Sequence, residues 1–261
     1  MHHAGGDLTD AAPRAAARLV GELHARGPRV HCITNTVAQA YTANMLLAAG
    51  GVPSMTLSAE EIGGFVARAD ALLVNLGTFD PERREATGIA VAAAAEAGRP
   101  WVLDPVFVDR SASRAAFART LVGRGPAVLR LNHAEFQALA GCEPTRAAAQ
   151  DYARAHRLVV ALSGATDLVT DGGRVATIAN GHALMAKVTA MGCAGSALTA
   201  ACLAVCGDAF EASAAALIAL GIAGEIAAET AAGPGSFAIA IIDALAALDA
   251  PTVVARAKVS P

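Results

Sequence analysis

Short runs of apolar residues alternate along the chain with longer alanine-rich stretches whose apolar positions recur every three or four residues. Runs that are apolar throughout predict strands buried on both faces, over residues 29–33, 52–55, 71–76, 100–104, 127–131 and 158–162. Helical patterns follow the first three of these, over residues 36–49, 60–68 and 81–97. Repeated strand–helix units of this kind predict an α/β fold, with a mainly parallel sheet covered by helices.

The pattern changes between residues 167 and 179. The turn residues Asp171-Gly172-Gly173 separate two short apolar runs, which predicts a β-hairpin and a sheet that becomes antiparallel at one edge. Beyond residue 192 the pattern is helical, with breaks near residues 207 and 233. Because no linker or internal repeat divides the chain, we expect residues 1–261 to form one domain, with residues 1–9 flexible.

The composition narrows the kinds of partner. Hydrophobic residues make up 54% of the chain and charged residues 16%, which predicts an extensive core. A net charge of −3, without a cluster of Lys or Arg, argues against nucleic-acid binding. No apolar run reaches the roughly 18 residues that span a bilayer without Gly or charge, and the N-terminus lacks a signal-peptide pattern. We therefore expect a cytoplasmic protein that binds no membrane.

The five cysteines predict neither disulfides nor a zinc site, because their number is odd and no CxxC pair occurs. One of them, Cys193, lies among small residues at the start of an apolar helix. The unpaired N–H groups and the dipole of a helix N-terminus attract anions and favour a thiolate at such a position. The alternative is that Gly192 and Gly195 only let this helix pack closely. A thiol hydrolase would need a histidine near Cys193, and no local spacing identifies one.

Polar residues collect at the carboxyl ends of the predicted strands, where sheets of this class bind ligands. They are Thr34, Asn35, Gly77, Thr78, Asp104, residues 130–135, Ser163 and Gly164. Each one has a structural alternative as a cap or turn residue, and Asn132 with Glu135 has the spacing of a capping box. Their shared location favours a binding site.

Six motifs, in order along residues 30–240, resemble the hydroxyethylthiazole kinase family. They are Ile33-Thr34-Asn35-Thr36-Val37, Asn75-Leu76-Gly77-Thr78, Trp101-Val102-Leu103-Asp104-Pro105-Val106, Asn180-Gly181-His182, Lys187-Val188-Thr189 followed by Gly192-Cys193, and Gly233-Pro234-Gly235-Ser236-Phe237. The resemblance implies a ribokinase-like three-layer sandwich that assembles as a homotrimer, with active sites at subunit interfaces. It also implies ATP- and Mg²⁺-dependent phosphorylation of the hydroxyl of 4-methyl-5-(2-hydroxyethyl)thiazole, a salvage step in thiamine biosynthesis.

The resemblance further implies a role for eleven residues. Cys193 would be catalytic, contributing orientation and a modest base effect where related kinases have an aspartate. The remaining roles are substrate contacts at Met55, Asn35 and Ala190, ATP contacts at Arg130, Ser163 and Asn132, an anion hole formed by Ala190, Met191, Gly192 and Cys193, and Mg²⁺ handling by Glu135 and Asp104. From the residues alone, a lone methionine such as Met55 is more often a core side chain, and Glu135 could serve only as a cap.

The chain also departs from the family pattern. Ala190 and Leu131 stand where the family usually has glycine, Gly164-Ala165-Thr166-Asp167 replaces Gly-Glu-x-Asp, and the segment 141–152 is shorter. A positive φ at Ala190 would be strained. Two other hypotheses therefore stay open: a kinase of another small heterocyclic alcohol of pyrimidine or pyridoxal type, and a non-catalytic relative that binds thiazole or nucleotide.

Overall fold

The apolar runs form the strands of one nine-stranded sheet in the computed structural model, which describes residues 8–261. The strands are β1 (Arg29–Ile33), β2 (Val52–Ser54), β3 (Ala71–Asn75), β4 (Trp101–Asp104), β5 (Val128–Asn132), β6 (Val159–Ser163), β7 (Asp167–Thr170), β8 (Val175–Ile178) and β9 (Val259–Ser260). Their order across the sheet is β2-β1-β3-β4-β5-β6-β7-β8-β9. The first six strands in this order, from β2 to β6, run parallel to one another, and the pairs β6–β7, β7–β8 and β8–β9 are antiparallel. This confirms the expected change at one edge of the sheet.

Eleven α-helices accompany the sheet in the described part of the chain. They are α1 (Leu8–Arg26), α2 (Gln39–Ala48), α3 (Ile62–Arg68), α4 (Pro81–Glu96), α5 (Ala112–Val122), α6 (His133–Ala140), α7 (Arg146–His156), α8 (Met191–Val205), α9 (Ala209–Thr230), α10 (Pro234–Ala246) and α11 (Ala250–Arg256). Short 3₁₀ turns cover Val108–Arg110 and Ala183–Lys187. The expected flexible segment 1–9 lies outside the described residues, except for its last two positions at the start of α1.

Successive side chains of the central strands enter two separate cores, one on each face of the sheet. Leu73 and Val102 pack with the core of α1, α2 and α8–α11, whereas Leu72 and Leu103 pack with that of α3–α7. Alternation along a strand sends neighbours to opposite faces, so strands covered on both faces must be apolar throughout. The result is the helix-covered sheet that the pattern predicts, in the three-layer α/β sandwich that the resemblance implies.

Helix boundaries differ from the prediction where turns precede the helices. The helix expected from residue 36 begins at Gln39, because Thr36–Ala38 form a turn, and the one expected from residue 60 begins at Ile62. The single last helix is two helices, α10 and α11. Among the described residues, α9 is the one single helix that is long and apolar enough to cross a membrane, and 78% of the most apolar window of α9 is buried in the fold. Helices α10 and α11, which are bent by 117° relative to each other, meet the same criterion only if they are taken together as one span.

His31, on β1, predicts how stability depends on pH. Its ring nitrogens lie 2.8 Å from Ser54 Oγ and 3.1 Å from the Thr56 carbonyl oxygen, and burial lowers its pKa to about 4. Because an unfolded histidine keeps its ordinary pKa of 6.5, the unfolded state takes up the proton first as the pH falls. We expect this group to remove up to about 3 kcal/mol of the free energy of unfolding between pH 6.5 and 4.

Urea unfolding of the wild type and His31→Gln at pH 7 and pH 4.5 measures that contribution. The variant should lose less stability over this interval than the wild type does, because it lacks the buried imidazole that is protonated first in the unfolded state. Equal losses in the two proteins would show that the fold does not lower the pKa of His31.

Candidate active site

The carboxyl ends of the parallel strands meet the first turn of α8 around a cavity of about 660 Å³. Ten of the eleven residues expected at the site line this cavity: Asn35, Asp104, Arg130, Asn132, Glu135, Ser163, Ala190, Met191, Gly192 and Cys193. Parallel strands end at one edge of a sheet, so residues distant in sequence come together there. The eleventh, Met55, follows edge strand β2, is half-buried against the core, and does not line the cavity of the single chain.

Cys193 lies in the first turn of α8 with two amide groups directed at its sulfur. Asn35 Nδ2 and Asn75 Nδ2 each donate to Cys193 Sγ at 3.3 Å. Burial, followed by the charge of Asp104, raises the pKa of the thiol to about 11. The expectation that the helix terminus favours a thiolate is therefore wrong: burial beside a carboxylate outweighs it, and Cys193 is a neutral thiol at pH 7.

Asn75 is a site residue that the sequence interpretation missed, although it belongs to one of the family motifs. At the end of β3, its Nδ2 donates to Asp104 Oδ2 at 2.8 Å as well as to the thiol of Cys193. Its Oδ1 accepts from Asn35 Nδ2 at 3.3 Å and from the backbone N–H of Gly77 at 3.0 Å. Its position as the polar last residue of an otherwise apolar central strand could have identified it. Asn75 thus connects the thiol to the carboxylate.

Asp104 and Glu135 are two buried carboxylates that face the same cavity. Asp104 Oδ2 accepts from Ser196 Oγ at 2.7 Å, a second contact that the sequence interpretation missed. Glu135 accepts from the N–H groups of Phe107 and Asn132, both at 2.9 Å, and the capping box with Asn132 is formed. Burial raises the pKa of both carboxyls, and the charge of Asp104 raises that of Glu135 further.

This acidic pair fits a magnesium ion. Mg²⁺ in phosphoryl-transfer sites is held by one or two carboxylates, waters and substrate phosphates, so a full cage of protein ligands is not required. No group of three or more His, Cys, Asp or Glu side chains that could hold a metal occurs among residues 8–261. The mutual repulsion of Asp104 and Glu135 is the feature that a divalent cation would relieve.

Arg130 places a guanidinium against the first turn of α8. Its Nη1 donates to the Gly192 carbonyl oxygen at 2.8 Å and to Ser196 Oγ at 3.3 Å, and its buried Nε has no partner in the described part of the chain. A Cβ atom on Gly195 would lie 2.9 Å from Arg130 Nη2, so glycine in this helix provides the space for the guanidinium. Arg130 lines the cavity, and a guanidinium there is suited to an anionic oxygen.

A second cavity of about 640 Å³ adjoins the first. The two share six lining residues: Arg130, Ser163, Met185, Ala186, Met191 and Gly192. Between them lies the start of α8, where Ala190 has φ 68° and ψ −2°. This left-handed conformation is the strained one anticipated for a non-glycine residue, at a cost of roughly 1 kcal/mol relative to glycine. The predicted anion hole thus begins with a strained backbone conformation at Ala190.

The arrangement also separates the chemical hypotheses. The partners of the Cys193 thiol are the amides of Asn35 and Asn75, and none of the residues that line the first cavity is a histidine. A thiol hydrolase lacks its base in this arrangement. A helix N-terminus, an arginine and two carboxylates around one cavity match the requirements of phosphoryl transfer.

Comparisons with known proteins agree with this chemistry. Residues 20–251 match the model of the hydroxyethylthiazole kinase family. A probable hydroxyethylthiazole kinase of Agrobacterium fabrum is 42% identical over 254 residues, 97% of either chain. The structure of a hydroxyethylthiazole kinase from Pyrococcus horikoshii has a TM-score of 0.90 at 37% identity, covering 94% of this chain and 97% of the other. A ribokinase-like protein of Enterococcus faecalis, 15% identical with a TM-score of 0.67 over 85% of this chain and 88% of its own, shares the fold. The chain belongs to the hydroxyethylthiazole kinase family.

Proposed function

We propose that the protein transfers the γ-phosphoryl group of ATP to the hydroxyl of 4-methyl-5-(2-hydroxyethyl)thiazole, a salvage step in thiamine biosynthesis. The observation that carries the proposal is the single cavity in which the Cys193 thiol, the Asp104 carboxylate and the Arg130 guanidinium surround the first turn of α8. The reacting alcohol, the acidic pair of Asp104 and Glu135, and the phosphate site then lie within one cleft. Membership of the family supports the same substrate.

The two adjoining cavities accommodate the two substrates. The thiazole alcohol occupies the first cavity beside Asn35, Ala190 and Cys193, and the nucleoside of ATP occupies the second. The phosphates bridge the two at Arg130 and Ser163, which line both, with Asn132 on the side of the alcohol. The unpaired N–H groups that begin α8, from Ala190 to Cys193, receive the charge of the transferred group.

The acidic pair would hold Mg²⁺, directly or through water. Bound there, the cation supplies charge neutralisation at the transferred phosphoryl group. The protein's own contribution is to keep two carboxylates buried at one edge of the sheet. Asp104 is kept in place by Asn75 and Ser196, and Glu135 by the backbone of Asn132 and Phe107.

Cys193 orients the attacking hydroxyl and acts at most as a modest base. In a loose transition state the alcohol loses its proton late, so positioning and charge neutralisation supply most of the rate. A thiol whose pKa is raised to about 11 is a poor proton acceptor at pH 7, yet its position is set by two amide donors. Orientation therefore outweighs proton transfer at this residue.

Replacing Cys193 with serine is expected to lower kcat by only about 10-fold, below the range of a full general base. The serine hydroxyl can accept from the amides of Asn35 and Asn75 as the sulfur does. Initial rates of ADP formation, together with calorimetric binding of ADP, check this. A loss of several orders of magnitude with unchanged nucleotide binding would contradict the modest role.

The assembly that we propose is a cytoplasmic homotrimer with active sites at subunit interfaces. Met55 supports this: it follows an edge strand whose Val52 is half exposed, and it does not line the cavity of its own chain. A thioether suits the flat sulfur ring of a thiazole. An active site completed by a second subunit would bring such a residue to the substrate.

A panel of alcohols tests the substrate. The purified protein is incubated with ATP, Mg²⁺ and either the thiazole alcohol, a hydroxymethylpyrimidine or pyridoxal, and ADP formation is followed for each. We expect turnover with the thiazole alcohol and at most a hundredth of that kcat/KM with the others. Turnover of another alcohol alone, or saturable thiazole binding without any product, would refute the proposal.

A further inference from the structure

The peptide group between Val106 and Phe107 lies between two opposite charges. Arg114 Nη1, on α5, donates to the Val106 carbonyl oxygen at 2.6 Å. The N–H of Phe107 donates to Glu135 Oε1 at 2.9 Å. The carbonyl and the N–H belong to one planar peptide unit, so a guanidinium polarises one end while a carboxylate binds the other. The two side chains are thereby coupled through backbone.

Phe107 adopts a conformation that a bulky residue avoids. Its φ is 57° and its ψ 31°, in the left-handed region, which costs about 1–2 kcal/mol for a residue with a side chain. Packing of the ring does not explain this, because Phe107 is 50% exposed with Arg110 stacked 4.9 Å from its centroid. The backbone here is held by the hydrogen bonds at the two ends of the preceding peptide, together with the turn bond from the Val108 N–H to the Pro105 carbonyl oxygen at 3.1 Å.

Arg114 itself lines the first cavity and is only partly satisfied. Its Nε is buried without a partner in the described part of the chain. Burial lowers the pKa of its guanidinium, and the charge of Glu135 opposes that effect. A half-buried charge needs a compensating partner. Here that partner is the polarised Val106–Phe107 peptide, whose N–H group is bound by Glu135.

We propose that Arg114 is a positioning residue that orients the Glu135 carboxylate toward the divalent cation, acting through the Val106–Phe107 peptide group. The inference rests on the proposed function, in which Glu135 handles Mg²⁺. Without the Arg114 bond, the Val106–Phe107 peptide can rotate to relieve the left-handed φ of Phe107. Glu135 then loses one of its two N–H donors, and its carboxylate turns away from the cavity.

Binding of Mn²⁺ as a spectroscopic probe tests this independently of the alcohol substrate. Electron paramagnetic resonance of the full chain with ADP gives the Mn²⁺ affinity of the wild type, Arg114→Met and Arg119→Met. Arg119 is the matched control, because it lies on the same helix and also donates to carbonyl oxygens, those of Ala138 and Leu139. We expect Arg114→Met to weaken Mn²⁺ binding about 10-fold or more and Arg119→Met to leave it unchanged.

A second substitution separates positioning from simple loss of packing. Glycine adopts a positive φ without strain, so Phe107→Gly in the Arg114→Met background should recover part of the lost affinity. No recovery, equal weakening in the Arg119 control, or unchanged affinity in Arg114→Met would each overturn the inference. A wild type that binds Mn²⁺ but phosphorylates no thiazole alcohol would refute the proposed substrate while leaving this test intact.

Discussion

Replacing Asp104 with asparagine is expected to lower kcat by at least about 10³-fold while the protein remains folded. The substitution keeps the size of the side chain but removes a buried negative charge that faces the cavity and receives hydrogen bonds from Asn75 and Ser196. Losing one preorganised electrostatic contact costs about 10²–10³-fold in rate, and the proposed role of Asp104 in holding the cation would increase the loss. Steady-state kinetics with the thiazole alcohol measure the loss.

Folding of the Asp104 variant is checked by urea unfolding. Burial raises the pKa of this carboxyl, so its ionised form is disfavoured in the fold, and we expect the variant with a neutral amide to unfold in one cooperative transition as the wild type does. Asp109→Asn is the matched control: it lies on the 3₁₀ turn after β4 and pairs with Arg110. A rate near that of wild type in Asp104→Asn would remove this residue from the chemistry.

Replacing Arg130 with methionine is expected to weaken ADP binding about 10²-fold or more. Charge-assisted bonds from arginine to phosphate contribute roughly 1.5–3 kcal/mol each, and methionine retains the apolar stem without the donors. Arg130 lines both cavities and lies against the first turn of α8, which suits its guanidinium to the phosphates between them. Isothermal calorimetry with ADP measures the change.

Gly195→Ala probes the same guanidinium without removing it. The new methyl group would lie 2.9 Å from both Arg130 Nη2 and Leu220 Cδ2, so it should displace the arginine and weaken ADP binding as well. Gly88→Ala in α4 is the control, because nothing lies within 4 Å of its Cβ position. It should leave binding unchanged and stabilise the helix by up to about 1 kcal/mol. Wild-type affinity in both Arg130→Met and Gly195→Ala would contradict the phosphate role.

The location of the site could be predicted from the sequence because strands buried on both faces are apolar throughout. Strands β3 and β4 end in the polar residues Asn75 and Asp104, and their parallel pairing brings these two residues opposite each other. Capping has the same local character: Asn132 and Glu135 are three positions apart and form the expected capping box. Features that depend on residues close together in the sequence could therefore be predicted correctly.

Interactions across the fold could not be predicted in this way. Asn75 and Ser196 contact Asp104 from 29 and 92 positions away, so no spacing identifies them. The pKa of Cys193 depends on burial and on the same distant carboxylate, which reverses the effect expected from the helix terminus. The sequence predicts that a positive φ at Ala190 would be strained, but only the structure gives the φ value of 68°.

Phosphoryl transfer in this cleft places the γ-phosphate of ATP on the hydroxyethyl side chain of the thiazole. Phosphorus NMR of a reaction containing the purified protein, ATP, Mg²⁺ and the thiazole alcohol detects this product. We expect one new phosphate monoester, coupled to the methylene protons of the side chain, to appear in equal amount with ADP. Inorganic phosphate with no monoester, or ATP that stays intact at saturating alcohol, would show that the protein is not a kinase of this alcohol.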